Sequence, residues 1–340
     1  MSNSDAAQLA QDEIWRVQQA IWGADPGSIM QLPQADPGSW AGSVQLDART
    51  YGPAASLSRP MTPAAEHRGI AVVMMVKDEE DIIGHNLEWL HYVGVRRFVI
   101  ADNQSSDGTR EGILGFQARH SDCEVIVVDD PVVSYVQSVK TTRLLRQAIS
   151  TWPDLRWVFP IDADEFLIPS RGFGPLDELP DHIDAMTIQK VIHSRHSLGG
   201  EVDTGSPLGL MALRSSLFWV PPKSACRARE HFAVTPGNHY IASSVGDSPV
   251  YQGAFALGLY YREFQVRSFE HFLRKVRNGG QAILAAKKEG RAEGGDHWLR
   301  YFEVLSTAGE SGMRKLYEDE FVRGGNPGFT LDPFYGCYVP

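Results

Sequence analysis

Cysteine is scarce in this 340-residue chain: Cys123, Cys226 and Cys337 are odd in number, far apart and in no Cys-x-x-Cys spacing. That argues against a disulfide framework and for free thiols in a reducing compartment, the cytoplasm by default. Long apolar runs are missing too. No segment approaches the ~18 to 20 apolar residues that span a bilayer, and the start has no basic-then-apolar signal pattern. A transmembrane segment is therefore not expected. Nor is there an excess of basic charge: 32 Lys and Arg stand against 42 Asp and Glu, for a net charge of -10. Nucleic acid, whose binding rests on phosphate neutralisation by Lys and Arg, is an unsuitable partner for such a chain. What remains is an ordinary globular composition, 43% hydrophobic and 22% charged, enough for one large domain or two modest ones.

Residues 5 to 22 place Ala10, Ile14, Val17 and Ile21 at helical spacing, with Asp5, Asp12 and Glu13 near the start, so an amphipathic helix is expected there. Its only basic residue is Arg16, which favours packing on protein and leaves peripheral membrane contact as the alternative. Residues 23 to 67 are rich in Pro, Gly, Ala and Ser and read as an extended arm. Regularity starts at Ile70. Apolar strands are expected over Ile70 to Val76, Val95 to Ala101, Glu124 to Val128 and Trp157 to Ile161, with helices over Glu79 to Val93, Asp107 to His120 and Tyr135 to Trp152 between them. This order predicts an α/β fold: a single Rossmann-like sheet, mostly parallel, with helices on both faces. Parallel strands require crossovers, and buried strands read as continuous apolar runs. The chain then divides into an N-terminal helix and arm (1–67), a first half (68–170), a second half with a closing helix (171–300) and a C-terminal extension (301–340).

Ligands in such sheets bind beyond the carboxyl ends of the strands. Polar clusters fall at three of those ends: Lys77-Asp78-Glu79, Asp102-Asn103-Gln104-Ser105-Ser106-Asp107-Gly108-Thr109 and Asp162-Ala163-Asp164-Glu165. Alternation along a strand sends Asp162 and Asp164 the same way, so the two can share one hard cation through oxygen ligands. Without a positive partner they would repel, and one would be driven toward its neutral form. An isolated Asp-x-Asp is more often a solvated turn, but three polar clusters at three strand ends weigh against that reading. For Lys77 and Asp78, solvated loop charges compete with a site role. Asp107 is placed to cap the helix that follows it. Ser268 is placed as the N-cap of a helix whose apolar face carries Phe269, Phe272, Leu273 and Val276.

Three motifs resemble those of an A-type-fold glycosyltransferase, in the family 2-like branch that shades into family 92. Val76-Lys77-Asp78-Glu79-Glu80 is similar to its first-strand motif, Asp102 to Thr109 to its Asp-Asn-x-Ser-x-Asp-Gly-Thr loop, and Ile161-Asp162-Ala163-Asp164-Glu165-Phe166-Leu167 to its metal motif. Weaker similarity runs through Pro222-Lys223, Asn238-His239 and Arg267 to Phe272, so the likeness covers roughly residues 69 to 290. The resemblance implies a nucleotide-sugar donor, a UDP-sugar first, held by residues 68 to 170. Asp102 and the carboxylates near Glu79 would face the base or ribose, whose N–H and hydroxyl groups suit acidic acceptors. It also implies donor contacts from Lys77, Asp162 and Arg267, and Mn2+ or Mg2+ on Asp162 and Asp164 bridging the diphosphate. A downstream histidine would complete the shell. His239 is the candidate, His231 a competitor, and His193 and His196 lie in a loosely matching loop; a zinc site built from these histidines lacks both His-Glu-x-x-His and paired-cysteine spacing. Where relatives have His-Tyr before Lys/Arg-Ser, this chain has Tyr260-Tyr261 before Arg267-Ser268, which implies a lost contact or reliance on His239. Residues 261 to 300 hold nine Lys or Arg against five Asp or Glu, read mainly as a solvated face with the option of meeting the diphosphate or an anionic acceptor.

Family 2 relatives invert the anomeric centre by direct displacement, which needs a carboxylate to take the acceptor proton. Glu230 and Asp203 rank first for that role, ahead of Glu201, in the half expected to bind a saccharide or lipid-linked acceptor. A retaining enzyme would need no dedicated base. A nucleotidyltransferase is the rival enzyme class, but Lys77-Asp78-Glu79-Glu80-Asp81 stands where its Gly-rich phosphate loop would be. A catalytically silent nucleotide- or saccharide-binding relative is the other alternative, favoured by the altered Tyr260 position and opposed by the intact Asp162 and Asp164.

Overall fold

The computed structural model describes residues 65–132, 136–195, 208, 211–215, 218–290, 296–322, 329–332 and 334. The helix expected over residues 5 to 22 and the arm up to residue 64 lie outside them, as do His196, Glu201, Asp203 and Cys337. The first half alternates as its periodicity dictates: β1 (Ile70–Val76), α1 (Ile83–Tyr92), β2 (Arg97–Asp102), α2 (Thr109–Arg119), β3 (Glu124–Asp129), α3 (Gln137–Thr151) and β4 (Trp157–Pro160). Then follow β5 (Glu165–Pro169), β6 (Ala185–Ser194), β7 (Leu213–Ser215), β8 (Trp219–Arg227), β9 (Phe232–Val234), β10 (Ile241–Ser243), β11 (Tyr251–Gly253), β12 (Leu259–Glu263), α4 (Phe269–Lys288), α5 (Asp296–Tyr317) and β13 (Phe329–Leu331).

Eleven of these strands make one mixed sheet in the order β13-β7-β6-β8-β4-β1-β2-β3, with β11 and β12 on β6 and β5 on β12. Its parallel part is β4-β1-β2-β3. Beyond β4 the next strand, β8, runs antiparallel to both its neighbours, so the sheet is mixed from that point on. Alternation along β1 sorts the two faces. Ile70, Val72, Met74 and Val76 pack with Leu87 and Leu90 of α1 and with Ile113 and Phe116 of α2, while Ala71 and Val73 pack with Leu144, Leu145 and Ala148 of α3. Helices therefore cover both faces, and burial of each such large apolar side chain contributes roughly 1.5–3 kcal/mol.

α1 begins at Ile83, later than the apolar pattern indicates, because its leading residues are engaged elsewhere. Asp78 takes a left-handed φ of 53°. The Asp78 amide donates to Ser105 Oγ at 3.0 Å and the Glu79 amide to Thr109 Oγ1 at 2.7 Å, tying the loop after β1 to the loop after β2. Asp107, expected as the cap of α2, lies one residue before the cap position, which Gly108 holds, and accepts from the Thr109 amide at 3.0 Å. At the other end of the fold, Ser268 caps α4 by accepting from the His271 amide at 3.0 Å. Phe269, Phe272, Leu273 and Val276 of α4 pack against Met313 and Tyr317 of α5 in a core of their own. No helix among the described residues is long and apolar enough to cross a membrane.

Candidate active site

Register brings the polar clusters to one edge. Val76 is level with Asp102 and Val73 with Pro160, so the residues after β1, β2 and β4 emerge together. On β8, Cys226 is level with Val158; three residues further along that antiparallel strand, Lys223 reaches the end of β4. The acidic cluster is not a continued strand. β4 stops at Pro160, and the Glu165 amide donates back to the Asp162 carbonyl at 3.0 Å, closing a turn. Strand alternation does not hold across this turn, and the two carboxylates have separate lysine partners.

Asp162 is the outward one, with its side chain 31% exposed. Lys223 donates to its Oδ2 at 2.7 Å, and Asn238 to its Oδ1 at 3.1 Å. The Lys223 ammonium also lies 2.8 Å from Glu165 Oε1, while Glu165 Oε2 accepts from the Asp162 amide at 3.1 Å. Burial works against the charge on Lys223, but Asp162 and Glu165 hold its pKa well above the usual lysine value. Burial pushes the fully enclosed Glu165 carboxyl up to about 8, with Lys223 opposing and Asp162 and Glu263 adding to the push. The positive partner that an Asp-x-Asp requires is thus supplied, on this side, by a lysine.

Asp164 is buried and turned to α4. Lys275 donates to its Oδ2 at 2.6 Å and lies 3.2 Å from Glu79 Oε1. Arg267, buried completely, spends its guanidinium on Asp81 (2.7 Å from both Nε and Nη2), on Glu79 and on the Phe264 carbonyl at 3.1 Å. Asn278 donates to Asp78 Oδ2 at 2.6 Å. His271, Lys275 and Asn278 recur at helical spacing on α4, and together with Arg267, just before the Ser268 cap, they clamp the loop after β1 to the turn after β4. Burial raises the Glu79 and Asp164 carboxyls, yet Lys275 and Arg267 outweigh it and hold both below their ordinary values. Glu79 and Arg267, expected at the donor, therefore face each other in the interior, and Arg267 and Lys275 are not part of a solvated face. The stripe was open to sequence reading, since its period complements that of the apolar face.

His239 follows Gly237, which has a φ of 70°; a side chain at 237 would run into the His239 imidazole. The Pro222 carbonyl lies 2.8 Å from His239 Nδ1, so that nitrogen carries the proton and Nε2 keeps its lone pair. Burial and Lys223 lower the His239 pKa to about 4 against the opposing pull of Asp162, so the ring is neutral. Asn238 Oδ1 is buried without a hydrogen-bond partner. A partly exposed carboxylate, an unpaired amide oxygen and an oriented neutral imidazole are donor types that suit Mn2+ or Mg2+, while Asp164 Oδ2 is engaged by Lys275. Sequence reading missed Asn238 as a site residue, although Pro-Gly-Asn marks a turn there.

The other named residues fall as follows. Lys77 donates to the Asn103 and Gln104 carbonyls at 3.0 and 2.9 Å, so it builds the loop rather than sitting in solvent. Asp102 is buried at the same edge and accepts from the Ser105 amide at 3.0 Å. Glu230 is exposed beyond the Arg227 end of β8, which is level with Trp157 at the start of β4; that is the opposite edge, and the structure does not bring it to the site. Asp203 lies outside the described residues. His193 is buried against the Met211 carbonyl at 2.9 Å, and His231 packs on Phe232, both apart from Asp162. The Tyr261 hydroxyl is buried without a hydrogen-bond partner, and burial, with the charge of Glu165, raises its pKa against the pull of Lys223.

No protein-family description matches the chain. No curated protein sequence matches it either. Among solved structures it is similar to a mannosyltransferase from Pyrobaculum calidifontis in complex with GDP-Man and Mn2+, at 15% identity and a TM-score of 0.36 over 82% of this chain and 84% of that one. It is also similar to glucosyl-3-phosphoglycerate synthase from Mycobacterium tuberculosis in complex with phosphoglyceric acid, at 16% identity and a TM-score of 0.27 over 47% of this chain and 57% of that one. The bifunctional glycosyltransferase WbbM matches at 15% identity and a TM-score of 0.26, over 39% of this chain and 24% of that one. These solved neighbours are glycosyltransferases.

Proposed function

We propose that this chain is a glycosyltransferase that binds a nucleotide-sugar donor with a divalent cation at the carboxyl edge of the β4-β1-β2 sheet. One observation carries the reading: at the edge where β1, β2 and β4 end, the partly exposed Asp162 carboxylate accepts from Asn238, whose Oδ1 is buried and unpaired, and acts on the neutral His239 ring. A hard cation held there, Mn2+ or Mg2+, would offset the charge that develops on a leaving diphosphate. The protein's own part is defined more closely. Lys223 fixes the Asp162 carboxylate, the Pro222 carbonyl fixes the His239 ring, and the α4 stripe holds the two loops at a constant separation, which is the preorganisation that transfer chemistry demands. UDP is the first donor to test, with Asp102, buried at this edge, as the acceptor for a base N–H or a ribose hydroxyl. The acceptor is a saccharide or lipid-linked hydroxyl in this reading, displacement is inverting, and Asp203 is the base, since Glu230 sits at the far edge.

Isothermal titration with UDP, GDP and CDP, each with Mn2+ and with EDTA, tests the proposal. Binding of one nucleotide that disappears with EDTA supports it. Absence of binding to all three overturns it in favour of a chain without donor affinity, and binding unaffected by EDTA overturns the cation assignment alone. Asp203→Asn should then retain nucleotide binding while losing transfer.

A further inference from the structure

A second cluster of metal-ligand type lies at the opposite edge of the sheet, where α1 and α2 end and β3 begins. Glu88 and His91 are three apart on the last turns of α1, His120 closes α2, and one ligand atom from each lies within 4.8 Å of the others. The His91 and His120 rings are 4.1 Å apart between centroids. Glu88 divides its carboxylate: Oε1 accepts from Arg119 at 2.8 Å, while Oε2 faces His120 Nε2 at 2.8 Å. Asp122 stands behind His91, 2.9 Å from its Nε2, as the carboxylates behind metal-binding histidines do. All three side chains are largely shielded, at 12%, 22% and 19% exposed for Glu88, His91 and His120. The carboxyl ends of two helix dipoles also converge here, which favours a cation.

We propose that Glu88, His91 and His120 bind a divalent transition-metal ion of the zinc class, separate from the nucleotide site. Two imidazoles and a carboxylate are a zinc donor set, with a water completing a tetrahedron. The neighbouring combination of His91, Asp122 and Cys123 is less suitable, because Arg96 Nε already holds Asp122 Oδ2 at 2.8 Å. The third cluster, Glu79, Asp81 and His271, is filled by the Arg267 guanidinium. An ion at Glu88, His91 and His120 would lock the ends of α1 and α2 together, and α1 is the helix whose leading loop carries Asp78 to Asp81.

The test loads the full chain, stripped with chelator, with Zn2+ and measures retained metal and its affinity. One ion per chain is expected at this site. His120→Gln and His91→Gln should each lose it, Asp122→Asn should weaken it about tenfold to a hundredfold, and Cys123→Ser and His239→Gln should keep it. Retention that is the same in wild type and in His120→Gln, or lost in Cys123→Ser, overturns the assignment. The visible spectrum of the Co2+-loaded wild type needs no variant: bands of a nitrogen- and oxygen-ligated ion support the proposal, and a thiolate-to-cobalt charge-transfer band overturns it.

Discussion

Lys223 carries the charge balance at the carboxyl edge, with its ammonium 2.7 Å from Asp162 and 2.8 Å from Glu165 and its side chain only 4% exposed. Lys223→Met leaves the Asp162 carboxylate without its cation beside the Glu165 carboxyl, which burial already holds up at about 8. Removing one partner from a buried ionic group costs about 3–5 kcal/mol, so calorimetry should show a large fall in Tm; an unchanged Tm would mean that the two acids are compensated elsewhere. Asp162 and Asp164 should part company under the same substitution. Asp162→Asn keeps the fold, because Lys223 retains Glu165, and loses metal-dependent nucleotide binding in titration. Asp164→Asn removes the partner of Lys275 at 2.6 Å and weakens the charge around Arg267, so it should lower Tm before any question of binding arises. Equal effects of the two substitutions would contradict the separation of roles.

At the scale of elements, α4 is where charge becomes architecture. Its polar stripe meets Glu79, Asp164 and Asp78, Arg267 just before its cap meets Asp81, and its apolar stripe meets α5. Gly280 is the point of closest approach, since a β-carbon there would collide with the Phe302 ring. Glu79 gives this element a pH signature. Its folded pKa lies below the unfolded value, so its stabilisation is complete above about pH 4.3 and is lost as the pH falls through the folded value. The part of the urea midpoint that Glu79 contributes should be constant above about pH 5 and fall below about pH 4. Lys275→Met should flatten that acid limb, and an acid limb of the same steepness in the variant would rule Glu79 out as its source. The elements themselves were largely legible: β1 and the strands and helices to β4 follow their periodicities to within a few residues. The loop after β1 was not, because Asp78 to Asp81 carry a helical pattern but find partners up to 200 residues away on α4.

For the whole molecule, the reading predicts coupling between ligand and fold. A nucleotide at a hundredfold excess over its Kd, with Mn2+ present, adds about 2.7 kcal/mol to the folded state. Differential scanning calorimetry should register a rise in Tm that EDTA removes and that Asp162→Asn lacks. A rise that persists in Asp162→Asn would move the nucleotide to another part of the sheet.

Local periodicity, turn chemistry and composition determined the alternation of strands and helices in the first half, the convergence of three polar clusters on one edge, and the Ser268 cap of α4, because each depends on residues near one another in the chain. Only the tertiary structure decided which of those charges face a ligand. Asp162 stays outward because β8 runs antiparallel and delivers Lys223 beside it, and Asp164, Glu79 and Arg267 turn inward because α4 folds back over the edge. Whether a carboxylate is a ligand or half of a buried ion pair depends on the nearest opposite charge in space, and here that charge comes from 61 residues away for Asp162 and 111 for Asp164.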